Sequence, residues 1–514
     1  MPIHLNNLTF GFDPLAEPLL RDVNLSLVAP RTGIVGRNGS GKSTLLRLIS
    51  GELSPTRGTV TVDGRVARLR QDLLQLGDLT VAGLLGIDGK LAALAAVESG
   101  SLDQRHYDVI GDDWDVEARA AAVIARRVPS LALDDVLARP TSTLSGGELV
   151  QLGLAALELE GAAVALLDEP TNNLDRRSRE ALYEAVAAWP GQVLVVSHDV
   201  ALLDRMDAVV ELHGGGARLF GGNFTRYREQ LEVEAAAAAQ AVRAAQHKVR
   251  SEQRERDQVQ TAMARREQQG KKAALEKRAP GIALNTWKDR SQKTRGAEQI
   301  RAAEKVEAAR ERLHEAETRV RDDSTIRIPV VDPGVARGRR LVELHDGERT
   351  LMMQGGDRWA LVGDNGVGKT TMLRGLRPFT RRVGHLDQRL ELPRGTVFDV
   401  VRGSAPDRPA HDTHALLARF LLRGDVVHRD VDSLSGGERF RVALARILLA
   451  DPPPELIVLD EPTNNLDLDS IDQLVDALTA YRGGLLVVSH DQSVLDRLGL
   501  DRVVELTGEG ALVG

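Results

Sequence analysis

Gly36-Arg37-Asn38-Gly39-Ser40-Gly41-Lys42-Ser43-Thr44 follows the apolar residues Ile34 and Val35 and leads into the apolar run Leu45 to Ile49. A buried strand, a glycine-rich loop ending in Lys-Ser-Thr and a helix form a phosphate-binding loop. Its glycines let successive backbone amides point at a β-phosphate, and the helix that follows adds its free N-terminal amides and dipole. Lys42 is placed to bridge β- and γ-phosphates, and Ser43 to hold Mg²⁺. Upstream, Ile3 to Phe12 and Leu19 to Leu27 read as short strands. Phe12 either stacks on a base or fills a strand face.

Downstream the chemistry appears in order. Gln71 follows strand-like Val66 to Leu69, at a strand edge within reach of Mg²⁺ or an attacking water, or else a plain surface amide. Leu144-Ser145-Gly146-Gly147-Glu148 opens the apolar helix Leu149 to Leu159 and offers a second anion-binding helix start. One chain can place only one anion-binding helix on a given γ-phosphate from its own loop, so this helix is expected to serve another nucleotide. The apolar strand Val164 to Leu167 ends in Asp168 and Glu169, which directs one carboxylate at Mg²⁺ and the other at the water that attacks the γ-phosphate. The polar turn Pro170 to Asp175 follows, and the strand Val193 to Val196 ends in Ser197, His198 and Asp199, which aims His198 at the γ-phosphate or its water.

The whole order then repeats. The second loop has Gly363, Asn365, Gly366, Val367, Gly368, Lys369, Thr370 and Thr371, and Gln388 matches Gln71. Leu434, Ser435, Gly436, Gly437 and Glu438 repeat the helix start. Ile457 to Leu459 run into Asp460 and Glu461, Asn464 to Asp467 repeat the turn, and His490 follows Ser489. From the Gln to the Ser of the helix start the first copy spans 74 residues and the second 47, so the first carries about 27 more. The second has no obvious aromatic before its loop, but carries Arg439, Arg441 and Arg446 where the first has Leu149, Gln151 and no arginine.

Between the copies the composition changes to Ala, Arg, Glu, Lys and Gln, all strong helix formers. Val306, Ala309, Leu313, Ala316 and Val320 recur at spacings of three and four, which makes an apolar seam for a partner helix. Val242, Ala245, Val249, Val259 and Met263 keep the same register, with Glu252 and Arg256 on the seam. Ala279-Pro280-Gly281-Ile282 breaks the helix. A long antiparallel hairpin results, each rod projecting roughly 50 to 75 Å. The chain is formally −7, yet residues 241 to 320 hold 20 Lys or Arg against 12 Asp or Glu. Lys271, Lys272, Lys277, Arg278, Lys288, Arg290, Lys293 and Arg295 crowd the turn against Glu276 and Asp289. Like charges repel, so such a tip suits a polyanion such as a phosphate backbone better than a bare spacer.

The fold class is therefore α/β, with two nucleotide-binding domains at 1–223 and 327–514 joined by a basic helical hairpin at 224–326. The 514 residues allow two cores of roughly 200 residues. The absence of cysteine excludes disulfides, thiolate metal sites and cysteine nucleophiles. His411 and His414 are read as surface residues, and no structural metal is expected. The N-terminus has no basic leader, and no stretch approaches 20 apolar residues, so a cytoplasmic protein is expected.

LSGGE between a phosphate loop and a strand ending in Asp-Glu, twice, resembles the ATP-binding cassette superfamily. Two cassettes around a basic hairpin, with no membrane segment, resemble the ABC-F family of ribosome-associated ATPases over essentially the whole chain. The resemblance implies a monomer whose cassettes close head to tail on two ATP molecules with Mg²⁺. Lys42, Ser43, Asp168, Glu169 and His198 would then work opposite Ser435 and Gly437, and Lys369, Thr370, Asp460, Glu461 and His490 opposite Ser145 and Gly147. It also implies entry into the tRNA exit site of the 70S ribosome, with the hairpin sent toward the peptidyl-transferase centre, rRNA and peptidyl-tRNA. Trp287 at the apex either stacks on a base or, with Ile282 and Leu284, closes the hairpin on itself. Many housekeeping members have PTNHLD where this chain has Asn173 and Asn465. The PTNNLD form resembles the branch that confers antibiotic resistance by ribosome protection, which is the expectation here, with a general translation factor as the alternative. An exporter's ATPase pair leaves the basic tip unexplained, and DNA-repair ATPases usually interrupt one cassette with their coil.

Overall fold

The computed structural model describes residues 2–13, 15–69, 79–131, 135–275, 300–301, 303–318, 331–346, 349–387, 390–464, 466–508 and 511–513, without side chains at 263, 266, 267 and 270–275. Two compact units are present: Met1–Phe224 with Thr325–Gly514, and Thr225–Ser324.

The first unit contains both copies of the repeat. In the N-terminal copy an antiparallel sheet is formed by β1 (Ile3–Phe10), β2 (Leu20–Leu27) and β4 (Arg57–Val62), in the order β2-β1-β4. The main sheet has the order β5-β6-β7-β3-β8-β9, where β3 is Arg31–Gly36, β5 Val66–Arg68, β6 Val164–Asp168, β7 Gln192–Val196, β8 Ala208–His213 and β9 Gly216–Gly221. All neighbours are parallel except β8 and β9. Every residue of β6 and β7 is buried, as expected of parallel strands covered on both faces. The C-terminal copy repeats this sheet as β13-β14-β15-β12-β16-β17, from β12 (Arg358–Val362), β13 (Val383–Leu386), β14 (Leu456–Asp460), β15 (Gly484–Val488), β16 (Arg502–Leu506) and β17 (Leu512–Val513). Among the described residues its antiparallel sheet has two strands, β10 (Arg340–His345) and β11 (Thr350–Gln354).

The additional residues of the first copy form helices. Isolated bridges join Thr80 to Pro140 and Thr396 to Asp430, bracketing the same stretch in each copy. Between them the first has helices Val81–Leu84, Asp88–Glu98, Gln104–Ile110 and Val116–Arg127, and the second has Val397–Arg402 and Ala410–Arg419. In this stretch of the first copy Leu102, in the loop before Gln104–Ile110, and Val109, on that helix, are exposed.

In the second unit the helix beginning at Phe224 runs to Leu275, 52 residues or about 78 Å. It lies beside a second helix, described from 300 to 318, and Lys305 reaches Glu255 at 3.3 Å. The seam follows the expected register, since Val249, Val306, Ala309 and Ala316 are buried. The charged seam position Glu252 is buried too, held by Lys248 at 2.7 Å. Among the described residues no helix is long and apolar enough to cross a membrane.

Candidate functional site

Three adjacent strands of each main sheet end on the same edge. In the first copy β3 delivers the phosphate loop, β6 delivers Asp168 and Glu169, and β7 delivers Ser197 and His198. Ligands of open parallel sheets bind at this carboxyl edge. Gly36 has φ 152°, and a Cβ there would lie 2.5 Å from the Leu212 carbonyl oxygen. Gly363 is equivalent, with its Cβ position 2.4 Å from the Leu506 carbonyl oxygen. Gly39 and Gly366, both at φ 83°, and Gly41 and Gly368 complete two loops of the same shape. Asn38, Ser40, Thr44, Val367 and Thr371 sit in or just behind these loops.

Lys42 is buried, and its ammonium donates to the carbonyls of Gly36 at 2.7 Å and Arg37 at 3.2 Å. Burial lowers its pKa, opposed by Glu169, Asp467 and Asp168. Lys369 donates to Gly363 at 2.6 Å and Asp364 at 2.9 Å, and burial lowers its pKa as well. Asp168 is 4% exposed, and neither carboxylate oxygen has a hydrogen-bond partner although Ser43 faces it. Burial raises its pKa. A buried, unsatisfied carboxylate beside a hydroxyl at the edge of a phosphate loop fits a divalent cation. In the second copy Thr370 donates to Asp460 at 2.9 Å, and burial again raises the acid's pKa.

Glu169 and Glu461 adopt φ 48° and 47°, a region uncommon for a non-glycine residue. Both are held there by their own amides, which donate to the carbonyls of Val196 at 2.8 Å and Val488 at 2.9 Å. His198 Nε2 lies 3.0 Å from Glu169 Oε1. The second copy differs. His490 Nε2 accepts from the Lys369 ammonium at 3.0 Å, since burial pushes the imidazole down to about 4 and keeps it neutral. That nitrogen then has no proton for Glu461, whose Oε1, 3.3 Å away, lacks a donor. Burial pushes Glu461 up to about 7, opposed by Lys369 and by Arg179 of the other cassette.

Ser145 and Ser435 each cap a helix, Gly146–Leu159 and Gly436–Leu448, through a reciprocal capping box with Glu148 and Glu438. Each serine amide donates to its glutamate at 2.9 Å. Gly147 must lack a side chain, because a Cβ would lie 2.1 Å from Ser178 Oγ. The Cβ position of Gly437 is 4.0 Å from Asn38 Nδ2, so the second helix start faces the first phosphate loop. The turn after each acid pair crosses in the same sense. Asp467 accepts from the Asn38 amide at 2.8 Å and Asp175 from the Asn365 amide at 3.5 Å, while Asn365 Nδ2 donates to the Asn173 carbonyl at 2.7 Å. Burial pushes both aspartates up, but hydrogen bonds from Ser470 and Asn38, and from Ser178 and Asn365, bring them below the usual carboxylate range.

Phe12 is 70% exposed and meets Phe10 edge to face at 5.0 Å. Gln71, Gln388 and Asn465 lie outside the described residues, as do Lys277, Arg278, Trp287, Lys288, Arg290, Lys293 and Arg295; Lys271 and Lys272 lie on the long helix without described side chains. His414 stacks on Phe398 at 4.6 Å. Sequence reasoning missed Arg37, whose guanidinium meets Asp469 across the cassettes at 2.8 Å, and Arg179 near Glu461. The signal for the first was a reversal of charge between the aligned copies.

Paired phosphate loops, acid-ended strands, turns that cross to the opposite loop and a helix start that faces it define an ATP-binding cassette ATPase with both cassettes on one chain. A family model described as ABC transporter matches residues 20–172 and 374–464. The tylosin resistance ATP-binding protein TlrC of Streptomyces fradiae is 31% identical over 96% of this chain and 95% of its own length. The energy-dependent translational throttle protein EttA of Mycobacterium tuberculosis is 30% identical over 93% of this chain and 87% of its own. The fold is also similar to that of archaeal ribosome recycling factor aABCE1, solved in complex with ribosomal stalk protein aP1, with TM-score 0.55, 20% identity and coverage of 97% of this chain and 87% of that one. The chain belongs to the ABC-F family of ATP-binding cassette proteins, and its cassettes are those of an enzyme that hydrolyses ATP and uses Mg²⁺.

Proposed function

We propose that this chain is a monomeric, ATP-driven ribosome-binding protein that acts in translation. The observation that carries the reading is likeness along nearly the whole chain, interdomain segment included, to a protein named for throttling translation. In this reading each ATP lies between one cassette's phosphate loop and the other's helix start. Lys42 and Lys369 exchange their bonds to loop carbonyls for phosphate oxygens, and the helices capped by Ser145 and Ser435 turn free amides toward the opposite γ-phosphate. Mg²⁺, when bound, neutralises developing charge on the phosphates; Ser43 with Asp168 and Thr370 with Asp460 would hold it, with Gln71 and Gln388 beside them. Glu169 and Glu461 take the proton of the attacking water, and His198 and His490 orient it. Phe12 stacks on the base of the first nucleotide. ATP closes the cassettes on each other, and hydrolysis loosens the grip and lets the protein go. The pair enters the tRNA exit site and brings its basic tip, Lys271 to Arg295, to rRNA and peptidyl-tRNA near the peptidyl-transferase centre.

Antibiotic resistance by ribosome protection is the second reading, favoured by the match to 95% of the length of a protein named for tylosin resistance and by Asn173 in the turn. Changing both Glu169→Gln and Glu461→Gln separates these readings from an exporter. With ATP the double variant should co-sediment with ribosomes and inhibit translation in vitro; recovery in the membrane fraction instead would sink the proposal. Protection of translation against tylosin by the unaltered chain would select the second reading over the first.

A further inference from the structure

The two cassettes are not interchangeable where they cross. In the first composite site the residue before Asn38 is Arg37, and the residue two beyond Asp467 is Asp469; they form an ion pair at 2.8 Å. Arg37 is 46% exposed and Asp469 50%, so the bond lies at the rim of the contact. The second composite site is built from the equivalent positions with both charges exchanged. The residue before Asn365 is Asp364, and the residue two beyond Asp175 is Arg177. The two crossings between them, Asn365 amide to Asp175 and Asn365 Nδ2 to Asn173, set these loops against each other as in the first site. That crossing is looser, 3.5 Å against 2.8 Å, and among the described residues no ion pair joins Asp364 to Arg177.

We infer that these four residues form a charge key that selects cassette 1 with cassette 2 and rejects like with like. Pairing the two different cassettes sets Arg37 against Asp469 and Asp364 against Arg177. A pair of first cassettes from two chains would set Arg37 against Arg177 twice, and a pair of second cassettes Asp364 against Asp469 twice. Specificity is the difference between these arrangements, so two weak attractions exchanged for two weak repulsions count together. Each exposed pair alone changes an equilibrium less than about fivefold. The reach of the effect is short, because these charges are screened over about 8 Å at physiological salt. The key therefore acts on the last step of closure, when the loops already face each other. The inference rests on the proposed intramolecular pairing and adds the residues that enforce it.

The test uses the full chain. Arg177→Asp with Asp469→Arg makes both intramolecular crossings repulsive and both like-with-like crossings attractive. The half-saturating ATP concentration for turnover should rise about five- to tenfold at low salt, with the difference shrinking as salt is added. At about 100 μM protein, within roughly tenfold of the effective concentration a tether supplies, this variant should become partly dimeric with a non-hydrolysed ATP analogue, as read by light scattering. Adding Arg37→Asp and Asp364→Arg restores both opposite-sign pairs and should return half-saturation and mass to those of the parent. This rescue excludes simple damage to the loops. A parent that itself dimerises with ATP overturns the intramolecular pairing. A monomeric parent whose double variant keeps parental half-saturation and mass overturns the key alone, as does a fourfold variant that fails to recover.

Discussion

Glu461 and His490 show what burial does to the acid and the imidazole of one motif. A carboxyl raised to about 7 is neutral in the free enzyme at lower pH and cannot take a proton from water. In a Glu169→Gln chain, where turnover rests on the second site, kcat/KM should therefore rise with pH. Between pH 6 and 8 the gain is about tenfold, because this parameter reports ionisation of the free enzyme. A flat profile over that range would show that Glu461 is not the base. Arg179 favours the carboxylate of Glu461 across the interface, where the aligned position of the second copy is Ile471. Arg179→Leu in the same background should move the profile to higher pH. The same change should leave the profile of a Glu461→Gln chain in place, since Arg179 acts on Glu461 and His490 of the second site and its ion pair in its own cassette is with Asp199, at 3.5 Å. Arg179 also donates to the Leu174 carbonyl at 3.1 Å, so an equal loss in both backgrounds would instead mark it as a support of the turn.

At the scale of elements, each copy uses short N-terminal caps to fix the chemistry. Ser435→Ala removes the hydroxyl half of a capping box and should cost about 1 kcal/mol of helix stability. It should lower turnover in the Glu461→Gln chain, whose active first site faces that helix, more than in the Glu169→Gln chain. The reverse order of effects would contradict the head-to-tail arrangement. The helical pair carries a different lesson. Glu252 sits on its seam with Lys248 and Lys305 around it, and both lysines keep more than half of their surface in water. Glu252→Leu extends the apolar seam and leaves no buried cation behind, so it should raise the midpoint of thermal unfolding followed by far-UV circular dichroism. A lowered midpoint would mean that the charge fixes the register of the two helices.

For the molecule as a whole, the cassettes are the motor and the basic tip the effector in the proposed function. Deleting Gly281 to Thr286 while keeping every Lys and Arg should leave ATPase activity and ribosome co-sedimentation intact and abolish the effect on translation; an unchanged effect would reduce the tip to a spacer. The parts list was legible in the sequence because phosphate loops, acid-ended strands and capped helices are local: Gly36, Lys42, Asp168, Ser145 and their repeats act through spacing along a few residues. The seam of the interdomain helices was legible for the same reason, through its period, down to the charged position Glu252. What only the tertiary structure decided lies across the chain. The meeting of Arg37 with Asp469, the approach of Asn38 to Gly437 and the orphaned oxygens of Asp168 join residues hundreds apart or depend on what excludes water. The upward shift of the Glu461 pKa is of this kind too. The Asp-Glu-Pro motif does not announce this shift, because ionisation depends on the surrounding dielectric and on charges from the other cassette, and neither is written in the motif itself.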